Sequence, residues 1–286
     1  MSTFTARRHR FRELLAGDRC VHPASVFDPM SARIATDIGF ELGMLAGSVA
    51  SLTVLGAPDI IVLTLSEFAD QARRIGRAAD LPLLCDADHG YGNALNVMRT
   101  TEELEAAGVS GFSIEDTVLP QAHGSAGKAQ LTSIEEGTGK MKAALRARVD
   151  KDLVIAGRTS APSISGIDDA IRRAKAYQAT GVDAIFLVGM KTRAELDAIA
   201  GEIKLPMILG GAGAELMDLE YLATRSVRVC LQGHQPFAAA VQAVYNTMRA
   251  LRDGTPPARL AGVAPDALMK KLMRGDDYAS WGKEFL

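Results

Sequence analysis

The sequence has few cysteines and no large excess of charge of either sign. Its 286 residues include only Cys20, Cys85 and Cys230, which lie in or beside separate apolar runs. Their spacing fits neither a disulfide framework nor a zinc site, so we expect buried thiols in a reducing compartment. A formal net charge of -2 gives no global attraction to nucleic acid or to an anionic membrane, and we expect neither as a partner.

Long apolar runs are also lacking. The N-terminal MSTFTARRHRFREL is basic but has no apolar core of the kind found in a signal peptide. No uninterrupted apolar stretch approaches the length of a membrane span. These two absences lead us to expect a soluble cytoplasmic protein.

What the chain does contain is a regular alternation of short apolar runs with amphipathic helical segments. The eight runs read CVHPASVFD, LGMLAGS, LPLLCDAD, GFSIED, LVIAGRT, DAIFLVG, LPMILGG and RVCLQGH. Eight strand–helix units in a chain of this length predict an α/β fold of the (β/α)₈ TIM-barrel type. The competing fold is a doubly wound open sheet, but no GxGxxG follows the first run. We predict one domain, 1–286, with extra C-terminal helices from about residue 255.

The segment LPLLCDADHGYGN, residues 81–93, carries the clearest chemical pattern. Asp86 and Asp88 end an apolar run with one residue between them, so on a strand they would share a face. Paired carboxylates at the carboxyl end of a buried strand are typical of a Mg²⁺ or Mn²⁺ site. The alternative is a solvated turn, because Asp and Gly are common turn residues.

Polar or charged residues end four further predicted strands, at the edge of a barrel where active sites lie. They are Ser48, Glu115, Arg158 and His234. Branched apolar residues fill most barrel interiors, so packing alone explains this set poorly. The planar fork of Arg158 suits a substrate carboxylate, although it could instead pair with a core carboxylate. We expect Arg158 and His234 to be catalytic. The alternative for His234 is a core histidine, and the alternative for Ser48 is a structural serine at a strand end.

Several of these segments resemble the isocitrate lyase/phosphoenolpyruvate mutase superfamily over nearly the whole chain. The segments are GSVAS with GAPD, DADHGYGNALNVMRT, IEDTVLP, GRTSA and GIDDAIRRAKAYQATGVDAIF. The resemblance implies that Asp86 binds Mg²⁺ directly, with Mn²⁺ as a possible substitute, and that Asp88 and Glu115 hold it through water. It also implies a 2-oxo-acid or carboxylate substrate and a homotetramer in which the barrels exchange their final helices.

Within that superfamily, the carbon–carbon lyases carry a catalytic cysteine in the loop after the IED strand. Here the loop reads LPQAHGSAGKAQL, without cysteine. The segments HPASVFDPMSARIA and SIEEGTGKMKAAL look instead like the oxaloacetate decarboxylase branch, which implies Mg²⁺-dependent conversion of oxaloacetate to pyruvate and CO₂. By that resemblance Ser48, Arg158 and His234 hold the 2-oxo dicarboxylate.

Two alternatives to decarboxylation stay open at this point. One is a different lyase or hydrolase of the same superfamily, acting on another 2-oxo or phosphonate substrate. The other is a barrel without catalytic activity that binds a dicarboxylate. The polar, Gly-rich loop from Thr117 to Gln130, which includes His123, is predicted to close over the site.

Overall fold

The computed structural model describes residues 3–121, 123–125 and 127–286. Within these residues eight strands form a single sheet, and every neighbouring pair of strands is parallel. The strands are β1 (Ala24–Ser25), β2 (Gly43–Leu45), β3 (Leu83–Asp86), β4 (Gly111–Glu115), β5 (Val154–Thr159), β6 (Ala184–Val188), β7 (Met207–Gly210) and β8 (Val227–Cys230).

The sheet follows the order of the sequence and its two edges are joined. Val21, which precedes β1, forms a parallel bridge with Val229 of β8. The N–H of Cys230 donates a hydrogen bond to the carbonyl of Val21 at 3.0 Å, and the N–H of Val21 donates to the carbonyl of Arg228 at 3.0 Å. Eight parallel strands in sequence order with helical connections confirm the predicted (β/α)₈ fold.

Helices connect the strands and follow the last of them. In the described residues they are α1 (Thr3–Ala16), α2 (Pro29–Ile38), α3 (Gly47–Leu55), α4 (Leu65–Ala78), α5 (Ala94–Ala107), α6 (Ile134–Ala147), α7 (Ala161–Ile164), α8 (Ile167–Gln178), α9 (Arg193–Ala200), α10 (Leu219–Thr224), α11 (Gln235–Arg252), α12 (Asp266–Leu272) and α13 (Gly275–Phe285). Short 3₁₀ turns cover Ala214–Leu216 and Pro257–Arg259.

Local chemistry explains where α2 begins and ends. The Asp28 carboxylate accepts a hydrogen bond from the N–H of Ser31 at 2.6 Å, and the Ser31 hydroxyl accepts one from the N–H of Asp28 at 3.0 Å. This reciprocal pair satisfies two donors that a helix N-terminus leaves free, and Pro29 suits the first helical position. Gly39 ends the helix with a φ of 93°, a conformation that costs glycine little.

The structure corrects the prediction for the segment after the second strand. Sequence analysis extended that strand to Ser48, but β2 ends at Leu45 and Ser48 is the second residue of α3. The segment GSVASLTVL is apolar and β-branched, which favours a strand by propensity. The strand prediction was therefore wrong at this point, because tertiary packing of a short buried helix outweighs local propensity.

Apolar packing lies mainly between the sheet and the helices, because alternate strand residues face the helices or the barrel interior. Leu83, Ile155 and Leu209 belong to this outer cluster of buried side chains. The three cysteines are members of the same cluster and are buried and unpaired, as predicted. The opposite phase of β3, β4 and β5 is thus left for the polar residues of the barrel mouth.

The chain divides into two compact units. The first ends at Gly233 and contains all eight strands, and the second comprises His234–Leu286 with α11, α12 and α13. The predicted organisation, one domain with a helical extension from about residue 255, stays a prediction. Among the described residues, no helix combines the length and apolar character needed to cross a bilayer.

Candidate active site

Three neighbouring strands bring charged side chains together at their carboxyl ends. Asp86 ends β3, Glu115 ends β4 and Arg158 is the fifth residue of β5. The strand register places Glu115 opposite Arg158 and Asp86 opposite Ser113, which is two residues before Glu115. Because residues two apart on a strand share a face, all three charged groups point to the same side of the sheet.

The guanidinium of Arg158 joins the two carboxylates. Its Nη1 donates a hydrogen bond to Oδ2 of Asp86, and its Nη2 lies 3.2 Å from Oε2 of Glu115. The carbon at the centre of the guanidinium lies 5.4 Å from the centre of the Phe186 ring, which packs against it. Burial disfavours the charge, but Asp86 and Glu115 outweigh burial and raise the pKa of Arg158 above its usual value.

The second oxygen of Asp86 is also hydrogen-bonded. Its Oδ1 accepts from the Ser113 hydroxyl at 3.3 Å and from the N–H of Asp88 at 3.2 Å. Each carboxylate oxygen has two lone pairs, so these contacts leave Asp86 able to accept one more partner. Asp86 is therefore held in a fixed orientation by groups from the turn after β3, from β4 and from β5.

Asp88 reaches the same site by a different route from the one predicted. β3 ends at Asp86, and Asp88 has a left-handed φ of 48°, so strand alternation does not place it. Its carbonyl accepts the N–H of Glu115 at 2.8 Å, and its carboxylate lies against the start of α3, where a Cβ on Gly47 would come within 2.9 Å of Oδ1. A side chain at position 47 would therefore displace the Asp88 carboxylate from the start of α3.

The turn that carries Asp88 is fixed from outside by two helices. Lys140 of α6 is buried, and its ammonium donates to the carbonyl of His89 at 3.0 Å. The hydroxyl of Thr100 on α5 donates to the carbonyl of Gly90 at 3.0 Å. Burial, together with the charge of Lys140, lowers the pKa of His89 to about 4, so His89 is a neutral residue of the turn.

A cavity of about 340 Å³ opens above these residues, and its charge is strongly unbalanced. Four carboxylates line it, Asp59, Asp86, Asp88 and Glu115, against the single guanidinium of Arg158. Burial and the neighbouring carboxylates raise the pKa of Asp88 well above its usual value, and burial raises that of Glu115 although Arg158 opposes it. The remaining wall includes the hydroxyl groups of Thr117, Ser160 and Ser163.

This donor set fits a hard divalent cation. Its polar groups include carboxylate and hydroxyl oxygens, which Mg²⁺ prefers as ligands. A cation would also compensate the excess negative charge, which would otherwise repel an anionic substrate. Among the residues that the structure describes, no three His, Cys, Asp or Glu side chains are grouped so as to hold a metal between them. Mg²⁺ commonly keeps several waters and binds through one or two carboxylates.

The other predicted site residues are distributed differently. Ser48 lies in the first turn of α3, one residue after Gly47, and is partly buried. His234 was predicted to end the eighth strand in phase with it, and this was wrong. β8 ends at Cys230, and Gly233 turns the chain with a φ of 84°. His234 caps α11 and is the first residue of the second unit. His123 is exposed in the loop after β4, and residues 122 and 126 of that loop lie outside the described residues.

Sequence analysis did not identify two residues that matter here. Asp59 follows a proline in a loop without periodicity, so no pattern predicts the direction of its side chain. Lys140 could have been found, because the other buried residues of α6, Gly137, Met141 and Ala144, are spaced three, one and four residues from it. A lysine on the buried stripe of an amphipathic helix indicates a specific partner.

Two curated relatives match almost the whole chain. An oxaloacetate decarboxylase of Bradyrhizobium diazoefficiens is 57% identical over 283 residues, covering 99% of this chain and 98% of the relative. A protein of the same name from Rhodopseudomonas palustris strain CGA009 is 58% identical over 280 residues, covering 98% and 97%. A family model described as phosphoenolpyruvate phosphomutase matches residues 11–252.

The fold is also similar to that of solved structures. A phosphonopyruvate hydrolase in complex with oxalate and Mg²⁺ is 28% identical and superposes with a TM-score of 0.87, covering 98% of this chain and 99% of the other.

We expect Asp88→Asn to raise the free energy of unfolding of the metal-free protein at neutral pH. As the pH rises above 3.8, the ordinary aspartate pKa, the unfolded chain releases this proton before the folded chain does, so folded wild-type protein loses stability. Asparagine removes that loss. The gain should therefore be larger at about pH 7 than at about pH 4, as measured by urea unfolding in EDTA.

The exposed residue Asp18 provides the control, and Asp18→Asn should leave the free energy of unfolding nearly unchanged at both pH values. An equal gain for Asp88→Asn at the two pH values would show that Asp88 is not part of an uncompensated acidic cluster.

Proposed function

The chain belongs to the phosphoenolpyruvate phosphomutase family of the PEP mutase/isocitrate lyase superfamily, and on that premise we propose that it is a Mg²⁺-dependent oxaloacetate decarboxylase, yielding pyruvate and CO₂. The observation that carries the proposal is the acidic cavity, in which four carboxylates face one guanidinium. A dicarboxylate would be repelled from such a cavity unless a divalent cation enters with it. The two relatives named oxaloacetate decarboxylase support this choice of dicarboxylate.

Asp86, Asp88 and Glu115 would hold the cation. Asp86 is proposed as the direct ligand, because its carboxylate is fixed by Arg158, Ser113 and the N–H of Asp88. Asp88 and Glu115 are proposed to bind through water. When bound, Mg²⁺ supplies an electron sink that polarises the 2-oxo group and stabilises the negative charge that develops as CO₂ leaves.

Arg158 is proposed to orient the substrate. A guanidinium has five N–H donors, and the contacts to Asp86 and Glu115 leave others available on a side chain that lines the cavity. The carboxylate that departs as CO₂ should not be tightly ion-paired, because such a pair stabilises the ground state more than the transition state. Arg158 therefore binds the carboxylate that stays in the product and fixes the orientation of the scissile bond.

Ser48 and His234 remain proposed substrate-binding residues, with His234 also proposed as catalytic. Ser48 is supported by its place in the first turn of α3, one residue from the glycine that contacts Asp88. The first turn of a helix presents free N–H groups, which favour an anionic ligand. His234 is supported by the family resemblance.

The second unit supports a proposal about assembly. Five apolar side chains of α11 recur at helical spacing and are exposed, namely Val241, Val244, Tyr245, Met248 and Leu251. A continuous exposed apolar face of this kind is typical of an interface. We propose a cytoplasmic homotetramer, arranged as a dimer of dimers, in which this face packs against another copy and the C-terminal helices are exchanged.

Val244→Glu should lower the oligomeric state, because it places a charge in the middle of the apolar face. Gln242→Glu, which adds the same charge to the same helix outside that face, should not. Sedimentation velocity of the two variants and of wild type makes the comparison. Identical assembly of all three proteins would show that α11 does not form the interface.

The proposed activity is tested with a panel of 2-oxo dicarboxylates assayed for CO₂ release and for pyruvate, with and without EDTA. We expect oxaloacetate to be the best substrate and EDTA to abolish its turnover. Asp86→Asn should abolish Mg²⁺-dependent turnover and weaken Mg²⁺ binding measured by calorimetry, whereas Asp18→Asn should change neither. Metal-dependent release of another product would indicate a different lyase or hydrolase, and no turnover at all would indicate a binding protein.

Retro-aldol cleavage needs a base and decarboxylation does not, so the two reactions should also be distinguishable by mutation. A retro-aldol lyase must remove a proton from a substrate hydroxyl, whereas decarboxylation needs only an electron sink to break the bond. We therefore expect His123→Gln to keep oxaloacetate turnover within about tenfold of wild type. Arg158→Lys should lose much more, because lysine cannot reproduce the planar fork. The reverse order in steady-state assays would show that the chemistry depends on the loop after β4.

A further inference from the structure

A buried ionic network lies on the helix side of the sheet, directly behind the active-site residues. Asp116 follows Glu115 and points the other way, and its carboxylate is fully buried. Its Oδ2 accepts hydrogen bonds from Nη1 of Arg173 at 2.9 Å and from the hydroxyl of Tyr177 at 2.6 Å, both on α8. The Arg173 side chain is only 9% exposed, so the pair is shielded from water.

Arg173 also fastens the base of the loop after β4. Its Nη1 donates a second hydrogen bond, to the carbonyl of Thr132 at 2.9 Å. The N–H of Thr132 in turn donates to the carbonyl of Asp116 at 2.7 Å, and the N–H of Val118 donates to the carbonyl of Gln130 at 2.8 Å. One guanidinium thus contacts the segments on both sides of the loop.

The other edge of the same guanidinium is linked to the loop after β5 through Asp169 of α8. Nε of Arg173 donates to Oδ2 of Asp169 at 2.8 Å, and the same oxygen accepts the hydroxyl of Ser165 at 2.7 Å. Ser165 immediately follows α7, whose Ser163 and Ile164 line the cavity. The network therefore extends from the loop after β4 to the loop after β5, and each loop contributes one wall of the cavity.

We propose that Arg173 is a positioning residue that couples these two loops, so that the walls of the cavity are set together from outside the barrel. Asp116 lies between Glu115 and Thr117, and both of these line the cavity. Because consecutive residues are joined by rigid peptide bonds, a displacement of the Asp116 backbone would move Glu115 and Thr117 with it. Ser165 transmits the same constraint to Ser163 and Ile164.

The charge state of the network is consistent with this role. Burial opposes ionisation of Asp169, but hydrogen bonds from Arg173, Ser165 and Arg172 outweigh it and hold the pKa of Asp169 at about 2. Asp169 therefore stays ionised at neutral pH. Arg172 contacts Asp169 too, through Nη2 at 2.8 Å, but it is exposed, and among the described residues it makes no hydrogen bond to either loop.

Hydrogen–deuterium exchange of the full-length protein tests the coupling without any assumption about the reaction. Arg173→Lys keeps the charge but loses the fork, so exchange should accelerate at least about tenfold at Val118 and Thr132 and also at Ser165 and Gly166. Arg172→Lys on the same helix should change neither set of amides.

Asp169→Ala should accelerate exchange only at Ser165 and Gly166, because Arg173 then keeps its contacts to Asp116 and Thr132. If Arg173→Lys does not fold, Asp116→Asn should accelerate exchange at Val118 and Thr132 in its place. The amides of β6 serve as the internal reference. A uniform acceleration that includes β6, or a response of one loop alone to Arg173→Lys, would overturn the coupling.

A kinetic measurement separates positioning from a purely structural role, and only this step rests on the proposed decarboxylation. Loosened walls weaken substrate binding in the ground and transition states alike, so Arg173→Lys should raise KM for oxaloacetate more than about fivefold while kcat stays within about threefold. An unchanged KM with a lowered kcat would contradict the proposal. If wild type releases no CO₂, the proposed function has failed, and the exchange pattern still decides the coupling.

Discussion

The candidate active site depends on one guanidinium held between two carboxylates at the ends of three adjacent strands. Asp86 and Glu115 come from β3 and β4 and would repel each other in a buried setting. Arg158 of β5 binds both and orients them toward the cavity. Arg158 offsets only part of the negative charge, because Asp88 and Asp59 line the same cavity. The remaining negative charge favours a cation over an anion in the cavity, on which the proposed role of Mg²⁺ rests.

The part of the site that lies on strands could be predicted from the sequence. Asp86, Glu115 and Arg158 each end an apolar run, and an alternation of period two fixes which face a strand residue occupies. That rule stops where the strand stops. Ser48 and His234 were assigned by extending strand phase past Leu45 and Cys230, but Ser48 already belongs to α3 and His234 is the N-cap residue of α11. Asp88 lines the cavity as predicted, but strand alternation is not the reason. It lies in a turn after β3 and has a left-handed φ.

Other features depend on contacts between distant segments, which no local pattern contains. The Lys140 ammonium and the His89 carbonyl are brought together only when α6 packs beside α5 and β4. The same holds for Arg173, whose position on the buried stripe of α8 is visible in the sequence but whose partners Asp116 and Thr132 are not. Burial can thus be read from periodicity, whereas the identity of a polar partner requires the assembled fold.

The seam between β1 and β8 has a consequence for how the chain reaches this state. The ring nitrogen Nδ1 of His22 and the carbonyl of Cys230 are 2.7 Å apart although 208 residues separate them in the sequence. During synthesis on a ribosome, the edge of the first strand is complete long before its partner exists, and it stays open to other chains until β8 emerges. Contacts of such long range are closed slowly, because loop entropy must be overcome first. β1 has only two residues, which limits the length of edge exposed during that interval.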